Sequence, residues 1–299
     1  MQKIMKKIII CAFVFAPILA SAQNKSTVME TYISPYAGVT IQGKMNTEQT
    51  GTAHKLGHFN EFDTDFDLKV KVQGNSKSTL GYTYGLTFGS VWKKEGRKFN
   101  PGFEIDLFNI SSTHEGNLAN AQNEEVANIV GPNGDSVLEL VNKYYGAGKH
   151  RFSNTMKMNS WNAAVNFTLS YELSSKISIN GALGFGFAAV SLKDAESLQA
   201  NPASANSNYE LSGGSPVNHF NSQPDASANL MISKFRVGAK IKLSKKIALQ
   251  FDASGVTQGK GDFNFGSTKY IDHAPTDNWK YTINACTSYQ ISTGLCVTL

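Results

Sequence analysis

The stretch Trp279–Leu299, WKYTINACTSYQISTGLCVTL, decides how the rest of the chain is read. Its odd positions are Trp279, Tyr281, Ile283, Ala285, Thr287, Tyr289, Ile291, Thr293, Leu295, Val297 and Leu299. The even positions are small or polar, running from Lys280 and Thr282 through Cys286, Ser288 and Gln290 to Thr298. Successive side chains of a strand point to opposite faces, so the pattern predicts one long strand with an apolar and a polar face. Strands in globular domains usually have about 5–6 residues, whereas an oblique membrane crossing takes about 9–11. A run of about twenty residues crosses and projects beyond the bilayer.

Seven earlier segments repeat the alternation: Thr31–Gly43, Thr79–Trp92, Gly102–Ser112, Lys157–Leu173, Ile177–Leu192, Asn229–Leu243 and Ile247–Gly259. In Thr79–Trp92, Leu80, Tyr82, Tyr84, Leu86 and Phe88 alternate with Thr83, Gly85, Thr87 and Gly89. In Gly102–Ser112, Phe103, Ile105 and Leu107 are expected outward and Glu104 and Asp106 inward, with a bulge where Phe108 and Ile110 reverse the parity. The connections sort by length. Ser174–Lys176, Ser244–Lys246 and Lys93–Asn100 are short, whereas Lys44–Ser78, Thr113–Met156, Lys193–Ala228 and Lys260–Asn278 are long. Short turns at one end and long loops at the other are the habit of a transmembrane barrel. The second long loop has helical composition over Leu118–Val130 and again over Ser136–Tyr145, which ends at Gly146.

The chain opens with Lys3, Lys6 and Lys7, an apolar run from Ile8 to Leu19, and Ala20-Ser21-Ala22 before Gln23. That is the layout of a secretory leader cleaved after Ala22. It divides the chain into a signal peptide (1–22), a short periplasmic segment (23–30) and a barrel (31–299). Mean hydropathy is only −0.25, as expected where alternate residues alone face lipid. Removing the three leader lysines leaves 25 of the 28 basic residues against 23 acidic ones, a net of +2, which is no nucleic-acid signature. Cys286 and Cys296 share a face ten residues apart. At the strand rise that is about 33 Å, too far to pair, so both are expected as small inward fillers.

The inward positions carry a set of charges. Glu104, Asp106, Glu172 and Asp252 share the lumen with Lys234, Arg236, Lys240 and Lys242. Such a set makes either a constriction for ions or a salt-bridged plug. An eight-stranded barrel is just wide enough for side chains to fill, which favours the plug. Trp92, Trp161, Tyr171, Trp279, Tyr281 and Tyr289 lie near strand ends, where aromatic girdles form at the two membrane interfaces. All six histidines (His54, His58, His114, His150, His219 and His273) fall in the long loops, with no ligand motif stronger than the weak His54–His58 spacing, so no metal or cofactor is expected. Ser153 near His150 is the nearest approach to a nucleophile and base, a three-residue spacing that a polar loop supplies by chance.

Leader, alternating strands and terminal strand together resemble the small bacterial outer-membrane β-barrels of the OmpA and OmpX type, over residues 31–299. The last strand is similar to their C-terminal sorting strand, with Leu299 where Phe is usual. The passage GLTFG…GRKFNPGFEIDLF at Gly85–Phe108 also looks like the major surface-antigen barrels. The resemblance implies a monomeric all-β, eight-stranded antiparallel up-and-down barrel in the outer membrane of a Gram-negative cell. Its partners would be outer-membrane lipid, the barrel-assembly machinery through the terminal strand, and a host or extracellular ligand at the loops. The expected function is surface binding, adhesion or antigen display around a plugged lumen. A narrow porin-like channel and a lipid-modifying barrel enzyme are the alternatives.

Overall fold

The computed structural model describes residues 27–57, 66–120, 151–200, 220–223, 225–269 and 275–299, and every regular element among them is a strand. In chain order these are β1 (Thr27–Gln42), β2 (Asn46–Gly57), β3 (Phe66–Ser76), β4 (Thr79–Lys94), β5 (Phe99–Asn120), β6 (Arg151–Glu172) and β7 (Ile177–Ala200). They continue with β8 (Phe220–Gln223), β9 (Ala226–Lys242), β10 (Ile247–Gln258), β11 (Gly261–Lys269), β12 (Pro275–Ile283) and β13 (Cys286–Thr298). Eight of them close a ring of antiparallel neighbours, β1–β4–β5–β6–β7–β9–β10–β13 and back to β1. Closure removes every sheet edge from the ring. The fold is an eight-stranded antiparallel up-and-down barrel.

Its polarity is inverted relative to a water-soluble fold. Leu80, Trp161, Phe167, Leu183, Met231 and Ile291 are each more than half exposed, whereas Glu104, Asp106, Lys234, Arg236 and Asp252 are buried. Apolar side chains outside and polar ones inside are what a barrel wall facing lipid requires. On β6 the outward alternation from Trp161 to Tyr171 spans enough residues to cross hydrocarbon at a tilt, which takes about 9–11.

At one end the connections are short. In the sequences Leu173–Ile177 and Leu243–Ile247 the same turn is built twice. Ser174 Oγ accepts from the amides of Lys176 (3.3 Å) and Ile177 (3.1 Å), and Ser244 Oγ accepts from those of Lys246 (3.3 Å) and Ile247 (3.1 Å). The third turn uses Gly96, whose φ of +74° suits a residue without Cβ.

At the other end the wall continues as strand well past the apolar band, so the described parts of the long connections are not open loops. β2, β3, β12 and β11 carry on upward from β1, β4, β13 and β10 with pairing β11–β12–β2–β3–β5. The terminal strand is therefore not single: it is divided at Asn284 and Ala285, both exposed. Odd residues face inward above this break and outward below it, as buried Trp279, Tyr281 and Ile283 and exposed Tyr289 and Ile291 show. No bulge interrupts β5 at Phe108, because its register with β4 and β6 runs unbroken there. Phe108 and Ile110 simply continue the inward row. β1 begins at Thr27, so the last residues of the expected segment 23–30 are already wall. β5 runs to Asn120, which makes the start of the helix expected from Leu118 a strand. The rest of that helix, the one over Ser136–Tyr145 and the leader 1–22 lie outside the described residues.

Candidate functional site in the lumen

The lumen is filled in two storeys. In the lower one, nearer the short turns, strands β5, β9 and β10 bring charged side chains to the axis. Lys234 Nζ lies 2.6 Å from Asp106 Oδ2, and Arg236 Nη2 lies 2.5 Å from Glu104 Oε2. Each pair is held by a tyrosine of β1: the Tyr32 hydroxyl donates to Glu104, and the Tyr36 hydroxyl donates to Asp106 Oδ1 at 3.0 Å. Thr87 also donates to Asp106 (3.3 Å), and the Gln250 amide donates to Asp252. Two cations also lie over ring faces: Lys234 Nζ 4.1 Å from the Phe108 centroid, and Lys240 Nζ 3.8 Å from that of Tyr32. None of Glu104, Asp106, Lys234, Arg236 and Asp252 is more than 7% exposed. Buried charges persist only when paired in this way. With Lys240, three cations balance three carboxylates.

One contact is looser. Arg236 Nε and Asp252 Oδ1 stand 3.8 Å apart, and neither atom has a hydrogen-bond partner. Two of the eight predicted network residues are not in the lumen at all. Glu172 is half-buried at the turn end, 3.5 Å from Lys93 Nζ, which also pairs with Glu30. Lys242 is exposed. Both keep inward parity but sit in the last residue of a strand, where the wall ends and water begins.

The upper storey is apolar. Phe108, Ile110, Met158, Leu192, Ile232 and Val256 from the membrane-level strands meet Met45, Val72, Phe263, Phe265 and Tyr281 from the strands above, in one buried cluster. Trp279 and Tyr281 belong here, 3% and 1% exposed, with the Phe265 ring edge-on to Tyr281 at 6.0 Å. They are not girdle residues, because the change of phase at 284–285 turns them inward. The other four predicted girdle positions are on the rim or the outer face. Trp92 lies 5.9 Å from Phe103 and Tyr171 lies 4.6 Å from Phe99 near the turns. Trp161, edge-on to Tyr84 at 5.7 Å, and exposed Tyr289 stand near the opposite border.

Between the storeys, at the top border of the outward apolar band, lies a polar chain that the sequence pattern did not indicate. His114 is on β5, not in a loop, and is fully buried. Thr79 Oγ1 is 3.4 Å from its Nδ1, and Ser112 Oγ is 2.8 Å from its Nε2. Ser112 donates in turn to Gln42 Oε1 at 2.9 Å, which leaves its lone pair to accept from Nε2–H. With Nε2–H donating to Ser112, the other ring nitrogen stands within hydrogen-bond reach of the Thr79 hydroxyl. The Gln42 amide faces the sulfurs of Met45, Met158 and Cys286 at 3.6–3.9 Å. Cys286 and Cys296 are both buried and unpaired. Among the described residues no cluster of His, Cys, Asp and Glu is placed to hold a metal. His54 lies on β2; His58, His150, His219 and His273 lie outside the described residues, as does the side chain of Ser153.

No family model matches the sequence, and no curated protein does. Among solved structures the chain is similar to the outer membrane protein OprG from Pseudomonas aeruginosa, at 11% identity and a TM-score of 0.40, over 90% of this chain and 97% of that one. It is also similar to the outer membrane protease OmpT from Escherichia coli (7%, TM-score 0.36, 89% and 97%) and to Neisserial surface protein A (9%, TM-score 0.33, 90% and 97%). Such scores add nothing to the closed ring already visible in the strand pairing.

Proposed function

We propose that this chain is an integral protein of the bacterial outer membrane, closed to solutes, that works at its extracellular face by binding, adhesion or antigen display. One observation carries the reading: among the described residues the lumen holds buried ion pairs below and an apolar cluster above. A wall that faces lipid, around a lumen occupied by these side chains, leaves the extracellular end as the surface free to meet a partner. The short turns and both strand termini, Thr27 and Thr298, lie at one end, which we assign to the periplasm. Export would use the leader at 1–22, and insertion would use the assembly machinery acting on the terminal strand. Replacing 121–150 with a short Gly/Ser connection tests the display reading. It should abolish binding to cells or extracellular matrix and leave the heat-dependent gel shift of the folded barrel intact; retained binding contradicts it.

The second reading is a narrow channel, and the loose Arg236–Asp252 contact favours it. A channel would show Arg236-dependent conductance in planar bilayers, whereas a plug would be silent. A lipid-modifying enzyme would need a nucleophile and an oriented base at the membrane rim.

A further inference from the structure

Four neighbouring wall strands change phase at one height. The residues concerned are Gly43 and Lys44 between β1 and β2, Lys77 and Ser78 between β3 and β4, Gly259 and Lys260 between β10 and β11, and Asn284 and Ala285 between β12 and β13. None of the eight is buried. Register is kept across these breaks. Gln42 faces Thr79 below and Asn46 faces Asn75 above, so Lys44 stands opposite Lys77. Gln258 faces Cys286 and Gly261 faces Ile283, so Lys260 stands opposite Asn284. With wall order β4–β1–β13–β10, three exposed lysines line a collar three strand spacings wide, about 14 Å.

The collar rests on the upper border of the apolar band, where Leu80, Ile41 and Tyr289 are exposed. Of the carboxylates near it, Glu48 pairs with Lys71 at 3.1 Å and Asp262 with Lys280 at 2.7 Å; Glu115, exposed on β5 across from Lys77, whose amide donates to its carbonyl at 2.8 Å, forms no ion pair among the described residues. Lys260 acts on Glu48 and Asp262 only at longer range. Among the described residues none of Lys44, Lys77 and Lys260 forms an ion pair with a carboxylate. Like charges facing each other across a ladder destabilise it, so opposing Lys44 and Lys77 gain from an anion placed between them. An apolar surface directly beneath a row of unpaired cations matches a lipid, with its chains against the wall and its charge at the headgroup level.

We propose that this collar binds the phosphate of an anionic lipid in the outer leaflet, with Lys44, Lys77 and Lys260 as its cations and Ile41, Leu80 and Tyr289 under its chains. The inference rests on the outer-membrane reading above. Its test compares the wild-type barrel with K44Q/K77Q/K260Q and with a control, K176Q/K245Q/K246Q, changed at the opposite rim. All are refolded into phosphatidylcholine bilayers doped with phosphatidic acid or with diacylglycerol, its dephosphorylated form. Retained lipid is then counted by native mass spectrometry. At about 1 kcal/mol per lysine, the collar variant should hold phosphatidic acid roughly 100-fold more weakly. The control should match wild type, and diacylglycerol should not be retained. In phosphatidylcholine alone the collar variant should unfold at a higher temperature than wild type, because the opposed charges are gone.

Equal retention by wild type and collar variant, or an equal loss in the control, overturns the proposal. Displacement of the lipid by inorganic phosphate also overturns it, by assigning the site to a soluble anion. If the collar variant alone fails to fold, K44Q replaces it, with an expected loss of about 5-fold; unchanged retention there is again contrary. A wild-type chain that neither inserts nor shows a heat-dependent gel shift defeats the outer-membrane reading itself, a result distinct from all of these.

Discussion

Glu104 and Arg236 show why single residues in this lumen cannot be altered one at a time. Replacing Arg236 by Met leaves Glu104 buried at 1% exposure beside the Tyr32 hydroxyl with no cation in contact. Removing one partner of a buried pair costs about 3–5 kcal/mol, whereas replacing both by apolar residues is often neutral or stabilising. Urea titrations in detergent should therefore find Arg236→Met strongly destabilised and Glu104→Leu/Arg236→Met close to wild type. A double variant as weak as the single one would show that the charges serve more than each other. The lumen charges at 104, 106, 234, 236 and 252 were legible because strict alternation turns them inward. Glu172 and Lys242 were not, because alternation records the face of a strand and not where the wall stops.

At the scale of elements, the two Ser-x-Lys turns carry a paired prediction. Each serine hydroxyl accepts from two amides that have no other partner in the turn. Ser174→Ala and Ser244→Ala should each cost about 1 kcal/mol and should add, since the turns lie between different strand pairs. A coupled effect in denaturation would mean the two turns share a partner. The ring strands were readable because each carries a two-residue period bounded by Ser, Lys or Gly. The terminal strand was readable as a crossing and misread above Cys286. Asn284 and Ala285 both point outward, and no Gly or Pro marks that change of phase, unlike Gly43 and Gly259 in the neighbouring strands. Trp279 and Tyr281 consequently looked like girdle residues while serving as the inner packing of the upper barrel.

For the whole molecule, the structure replaces a barrel topped by open loops with a taller one whose wall runs on above the outward apolar band. The apolar cluster under β2, β3, β11 and β12 joins the two levels, so these upper strands should be stable parts of the fold and not detachable loops. Phe263→Ala, in the middle of that cluster and fully buried, should cost about 3–5 kcal/mol in urea titration. A change under 1 kcal/mol would mean the upper wall folds independently of the lumen.

The most direct test of a plugged barrel is single-molecule conductance of the refolded wild-type protein in planar bilayers, on samples first shown to be folded by their heat-dependent gel shift. With two ion pairs buried in the lower storey and an apolar cluster above them, the trace should stay silent across the applied voltages. Steady, reproducible channel steps whose size changes in Arg236→Ala would contradict the plug and make this chain a narrow porin.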